Sequence, residues 1–160
     1  MAKRATATAA SARTETGDGT LRQFVGYNLK RAYMAILDDL HRVLGQHNLR
    51  LATFSALALV SDNPDIAQGE LAQALSVERS SVVVIVDDLE TRQLVTRNKV
   101  LGDRRAYALR VTLKGRQLLD RLKDEIAAHE NRFFGQLSAA ERATLVGLLN
   151  RVEGAAADAA

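Results

Sequence analysis

The sequence predicts a mainly α-helical fold carrying one small β-hairpin, with helices from both ends of the chain free to associate with a second copy. Three observations predict it. Apolar residues recur at helical spacing along most of the 160 residues. The only pair of short β-like runs, Leu94 to Lys99 and Arg105 to Val111, is joined by Val100 to Arg104 with Gly102 in the loop. The first helix and the last two are longer than a small monomeric domain needs, and interlocked copies would bury their apolar faces.

The elements follow in order. Residues up to about Gly19 are small, polar and aperiodic, and read as a disordered tail. From Leu21, the residues Val25, Leu29, Ala32, Ile36, Leu40 and Val43 mark a long helix that Gly45 ends. A second helix covers Leu51 to Val60, and Ser61-Asp62-Asn63-Pro64 stops it. Gln68 to Leu75 is a short helix, Ser76-Val77-Glu78 a turn, and Arg79 to Arg92 a longer helix. After the hairpin, Thr112 is placed to cap a helix running through Phe134. Ser138-Ala139-Ala140-Glu141 fits the capping box of a final helix that reaches about Val152 before an alanine-rich end.

Composition narrows the function. No cysteine is present, which removes disulfides, thiolate metal sites and cysteine-based redox switching. No apolar run is long enough to span a bilayer and the N-terminus lacks a secretory pattern, so a cytoplasmic protein is expected. Ser, His and Asp occur without a nucleophile elbow, glycine-rich phosphate loop or paired acidic motif, so no enzyme is expected. The net charge of +3 is compatible with nucleic acid without establishing it.

Position supplies what composition does not. On the helix Arg79 to Arg92, Val82, Ile85, Val86 and Leu89 form one stripe that should pack on Leu71, Ala72 and Leu75. The other face carries Ser80, Val84, Asp87 and Thr91. Arg79 and Ser80 stand in the first turn, where a recognition helix presents side chains to base edges. Arg79 suits a guanine edge, and Ser80 or Ser81 a phosphate or base. An outward Val84 reads either as contact with thymine methyls or as packing on the hairpin or a nearby loop. Asp87 would repel phosphate and is expected to pair with an arginine, as Asp88 should with Arg92. The hairpin adds Arg97, Lys99, Arg104, Arg105 and Arg110. Asp103-Arg104-Arg105 stands at its tip, where guanidinium groups suit phosphates and the negative minor groove of A·T-rich DNA.

Gln68-Gly69-Glu70-Leu71-Ala72-Gln73-Ala74-Leu75, Val82, Val86-Asp87-Asp88-Leu89-Glu90, Leu94-Val95, Arg97, Asp103-Arg104-Arg105 and Val111-Thr112 with Gly115-Arg116 together resemble the MarR family of bacterial winged helix–turn–helix regulators. The resemblance covers about Leu21 to Val152. It implies a homodimer held by the first and last helices, with a recognition helix in the major groove and a wing arginine in the adjacent minor groove. Arg104 is then the minor-groove residue, and Asp103 and Arg105 order the wing and contact the backbone. The implied layout is a tail at 1–19, one domain at 20–153 and a frayed end at 154–160. Dimerisation helices lie at 20–46 and 113–153, and the winged lobe at 50–112 with its wing at 94–111. Gln93 stands where the family often has glycine, and Val83 and Val84 where a polar or basic residue is common.

Similar regulators commonly release double-stranded DNA when a small, often aromatic and anionic effector binds. Tyr27, Arg31 and Met34 flank the apolar face of the first helix, and the second contributes Arg50 and Phe54. These five are candidate ligand contacts, the arginines receiving a carboxylate or instead forming surface ion pairs. Tyr27-Asn28-Leu29-Lys30-Arg31 is also similar to members sensing aromatic acids or their coenzyme A thioesters. His41, His47 and His129 lack ligand spacing, so neither a metal nor another cofactor is expected. The implied function is a ligand-responsive regulator, more often a repressor in this family, with a non-specific architectural DNA-binding protein as the alternative.

Overall fold

The computed structural model describes residues 17–100 and 103–157, with side chains for 17–98 and 107–155. Among the described residues six α-helices and a small antiparallel sheet follow, in the expected order apart from β1: α1 Val25–Gly45, α2 Leu51–Asp62, β1 Ile66–Ala67, α3 Gln68–Ala74, α4 Arg79–Thr91, β2 Val95–Val100, β3 Asp103–Val111, α5 Leu113–Phe134 and α6 Ala139–Ala157. A 3-10 turn at Leu21–Gln23 precedes α1. The last helix runs past its expected end at Val152, as alanine, the best helix former, allows.

The described residues divide into two compact units, the first ending at Ala35 and the second beginning at Ile36. In the first, Asp18, assigned to the tail by the sequence, accepts hydrogen bonds from Arg22 Nε and the Tyr27 hydroxyl, each at 2.9 Å. Asn28 Nδ2 donates to the carbonyls of Arg22 and Phe24, closing the turn into α1.

The second unit holds the core. Ala56, Leu57 and Val60 of α2 and Leu71 and Ala72 of α3 meet Val82, Val86 and Leu89 of α4, with Leu94, Val95 and Leu109 from the sheet and Leu118, Leu119 and Leu122 from α5. The stripe read on α4 is therefore its packing face, with Ile85 half-buried beside it.

A third strand was not expected. Ile66 pairs with Leu109 and Ala67 with Ala108, giving the order β1-β3-β2. Two residues carry no periodicity that a sequence could show. Asp65, at φ 71°, turns the chain into β1 and holds Arg110 through both carboxylate oxygens, at 2.6 and 2.5 Å.

Helices α1, α3 and α4 end alike, each on a left-handed residue that is not glycine: Asn48 (φ 54°), Ser76 (φ 53°) and Gln93 (φ 61°). Behind each, an amide reaches back five residues: Leu49 to Leu44, Val77 to Ala72 and Leu94 to Leu89. This Schellman geometry satisfies carbonyls at the helix end; after the turns Leu49 and Leu94 enter the core and Val77 packs against it. Both expected N-caps are present. Thr112 Oγ1 accepts from Gly115 N at 3.0 Å, and Ser138 and Glu141 bond reciprocally.

Within the second unit, His129 of α5 is buried at 1% exposure, and its Nδ1 donates to Asp39 Oδ2 of α1 at 2.7 Å. Arg42 and Arg132 also pair with Asp39. The His129 hydrogen bond, then Arg42, hold the Asp39 carboxyl below its ordinary range. A carboxylate with a depressed folded pKa stabilises above its unfolded value, about 3.9, and that contribution is lost as pH falls through the folded value. Asp39→Asn is therefore expected to lower the unfolding midpoint at pH 7, with the gap from wild type closing below pH 4. A gap of constant size from pH 7 to pH 3 would contradict the ionic role of Asp39.

Candidate nucleic-acid interface

The α3–turn–α4 segment presents its candidates by burying the opposite face. Glu70 accepts from Ala67 N at 2.9 Å and fixes the start of α3. Val77, half-buried, packs against the core from the turn. With Val82, Val86 and Leu89 inside, Arg79, Ser80, Ser81, Val83 and Val84 are outside. Val84 is 68% exposed, so packing on the hairpin or a loop does not account for it. The surface left at the start of α4 carries one cation, two hydroxyls and two valines, suited to phosphates, base edges and thymine methyls.

Arg97 is placed differently from the expectation that it faces DNA. Its Nη2 donates to Asp87 Oδ1 at 2.5 Å and its Nη1 to Glu90 Oε2 at 2.6 Å. With the Gln68 amide oriented oxygen-inward, that oxygen accepts from Nη2 at 3.0 Å and Nε at 2.9 Å. Burial alone would lower the pKa of this guanidinium, but its bonds to Asp87 and Glu90 raise it instead. Asp87 thus has the arginine partner its position called for, and the partner is Arg97. Asp88 and Arg92 approach to 3.9 Å. Arg92 further donates to the carbonyls of His47 and Asn48 at 2.9 and 3.0 Å, while His47 Nε2 lies 2.9 Å from Glu125 of α5. The C-terminal end of α4 is thereby tied to the α1–α2 loop.

The wing is an antiparallel ladder in which Val95 faces Val111, Arg97 faces Leu109 and Lys99 faces Tyr107, with an irregularity between Lys99 and Val100. Strand β3 begins at Asp103, two residues ahead of its expected start at Arg105, so Asp103 and Arg104 lie in the strand rather than in the connecting loop. The side chains of Lys99, Asp103, Arg104 and Arg105, and Gly102 entirely, fall outside the described residues.

The ligand candidates divide between the two units. In the first, the Tyr27 hydroxyl is held by Asp18 and its ring lies under Arg22 at 5.6 Å, while Arg31 and Met34 are exposed. In the second, Arg50 precedes α2 as its N-cap and Phe54 is half-buried against the core. Arg50 shares a surface hollow of about 660 Å³ with Ser81 and Val84, an adjacency the sequence did not show. Among the described residues no helix is long and apolar enough to cross a membrane.

A helix–turn–helix followed by a β-hairpin, with β1 ahead of α3 completing a three-stranded antiparallel sheet, is a winged helix, and comparison with known proteins agrees. Residues 47–106 match the MarR family. The chain is 33% identical over 135 residues to the candidate transcriptional regulatory protein for the hcr operon of Thauera aromatica, spanning 84% of this chain and 81% of that one. The structure of the transcriptional repressor CouR bound to a 23-mer DNA duplex superposes with a TM-score of 0.81 at 35% identity, over 88% of this chain and 99% of CouR. CouR bound to p-coumaroyl-CoA gives 0.74 at 33% identity, over 87% and 98%. The chain belongs to the MarR family of DNA-binding transcriptional regulators, and the relatives it matches are regulators rather than enzymes.

Proposed function

We propose that the protein is a homodimeric transcriptional repressor that binds a pseudo-palindromic operator and leaves it when a small aromatic acid, or its coenzyme A thioester, binds. The observation that carries the reading is the α4 surface: a helix locked by its apolar stripe, with Arg79, Ser80, Ser81 and Val84 turned outward. Arg79 reads a base edge, the serines hold phosphate or base, and Val84 meets thymine methyls. Lys99, Asp103, Arg104 and Arg105 supply the wing, with Arg104 entering the minor groove.

Exposed apolar side chains support the dimer. Phe24, Val25, Leu29, Tyr33 and Met34 are exposed in the first unit, and Val146, Leu148, Leu149 and Val152 on α6 of the second. Several exposed large apolar side chains on one helix mark association. The dimerisation segments are residues 20–46 and 113–153. The effector class rests on the likeness to CouR, whose structure holds p-coumaroyl-CoA. In this chain Tyr27, Arg31 and Met34 are the candidate contacts within the first unit, and Arg50 and Phe54 those within the second, each arginine for an anionic group.

The test begins with in vitro selection of DNA by the full chain. The selected site should contain half-sites about 10 bp apart. At equal salt it should bind roughly a thousandfold or more tighter than random duplex. Equal affinity for both would replace this reading with a non-specific architectural role. Titration of the complex with benzoate, p-coumarate and p-coumaroyl-CoA should then find one that dissociates the DNA and raises the thermal midpoint of the free protein.

A further inference from the structure

We propose that Arg97 is a positioning residue for DNA reading, a clamp that fixes the base of the wing against the recognition helix. The inference rests on the regulator reading above and deepens it. Three elements converge on one guanidinium: α4 through Asp87 and Glu90, α3 through Gln68, and β2 through Arg97 itself. Asp87 and Glu90 are three residues apart and lie on one side of α4, so the pair forms a fork that closes on the strand. Nε, Nη1 and Nη2 are all engaged, and the side chain is only 17% exposed. An arginine in this state has no free edge for a phosphate, whatever its charge.

The clamp matters because a wing acts as a lever. Strand residues advance about 3.3 Å each, so the far end of β2 lies on the order of 10 Å from Arg97, and a 10° change at the base moves it by about 2 Å. A displacement of that size takes a groove-entering side chain out of hydrogen-bond reach. The arrangement also holds the charges of Asp87 and Glu90 on α4 against a cation.

The proposal makes a prediction opposite in sign to simple electrostatics. Removing a carboxylate near DNA should tighten binding if Asp87 only repels phosphate. The clamp requires Asp87→Asn to weaken it, by about tenfold. Arg97→Gln should weaken binding similarly. Arg97→Lys should not rescue it, because an ammonium cannot bridge three partners. The double variant Arg97→Gln with Asp87→Asn should be no weaker than the worse single variant. These are read by fluorescence anisotropy on the selected operator across a salt series, and the slope of log Kd against log salt should stay at the wild-type value. A slope reduced by about one or more, or full rescue by Arg97→Lys, would make Arg97 a phosphate contact and overturn the clamp. Tighter binding by Asp87→Asn would overturn it as well. If wild type fails to separate operator from random DNA, the regulator reading fails instead. The clamp is then still tested without DNA, by non-additivity of the same two substitutions in the unfolding midpoint.

Discussion

Gly115→Ala is expected to destabilise the protein by about 3 kcal/mol, the upper range for forcing atoms into a filled site. A Cβ at Gly115 would stand 2.2 Å from the Leu94 carbonyl oxygen and 2.7 Å from Val111 Cγ2. The first contact is with backbone, which has no rotamer to yield. The Leu94 carbonyl also accepts from Thr112 N at 3.0 Å, and Thr112 caps the same helix through Gly115 N. Moving Leu94 therefore disturbs the start of β2, the cap of α5 and the Leu94 side chain in the core together. At about 2–4 °C per kcal/mol for a chain of this size, the midpoint should fall by roughly 6–12 °C. Urea melts for the free energy and thermal melts for the midpoint, on both proteins at one protomer concentration, measure the two, since association shifts apparent stability. A change below about 0.5 kcal/mol would mean that the Leu94–Gly115 approach is not what holds this junction.

That junction shows where sequence carried the fold and where it did not. Val111-Thr112 with Gly115 looked like a family signature, and the structure gives each residue a physical duty: an inward side chain, a cap and a close approach. The α4 stripe was equally legible, because a 3.6-residue period leaves one face for the core. The helix ends were less so. Asn48, Ser76 and Gln93 fill left-handed positions that glycine usually marks, so composition pointed to Gly45 while the turn itself was made by Asn48. Strand β1 was invisible for a different reason, since two residues have no alternation and owe their strand geometry to Leu109 and Ala108 across the ladder.

The site follows the same division. Exposure of Arg79, Ser80, Ser81 and Val84 follows from the buried stripe on the opposite face and could be read from one helix. The fate of a cation could not. Arg97 and Arg110 both sat in a basic hairpin and looked alike, yet Arg97 closes on Asp87 and Glu90 and Arg110 on Asp65. Their partners lie seven to 45 residues away in sequence. The one local hint was the pair of acids on α4 beside a strand that returns along it. Two of the five expected hairpin cations are therefore committed within the protein, which concentrates the proposed DNA contact on Lys99, Arg104 and Arg105.

Arg104→Ala is accordingly expected to have the largest effect on operator binding. The residue stands second in β3, at the end of the hairpin remote from the core. A guanidinium in a narrow minor groove meets the strongest negative potential on the duplex, and its contribution is about 1–2 kcal/mol. A dimer places two such residues on one operator, so their joint loss is worth about 2–4 kcal/mol, or roughly 30- to 700-fold in Kd. The salt slope should fall as well, since these cations displace counterions, which separates Arg104 from the clamp residue Arg97. Discrimination should relax most at A·T-rich steps flanking the half-sites, where groove width rather than base contact is read. Size-exclusion chromatography with light scattering should find the variant's dimer unchanged, because hairpin-tip side chains take no part in the proposed interface. Wild-type affinity in Arg104→Ala, measured by anisotropy at two salt concentrations, would move the minor-groove role to Arg105 or Lys99. The same titrations on Arg105→Ala and Lys99→Ala would then show which of them carries it.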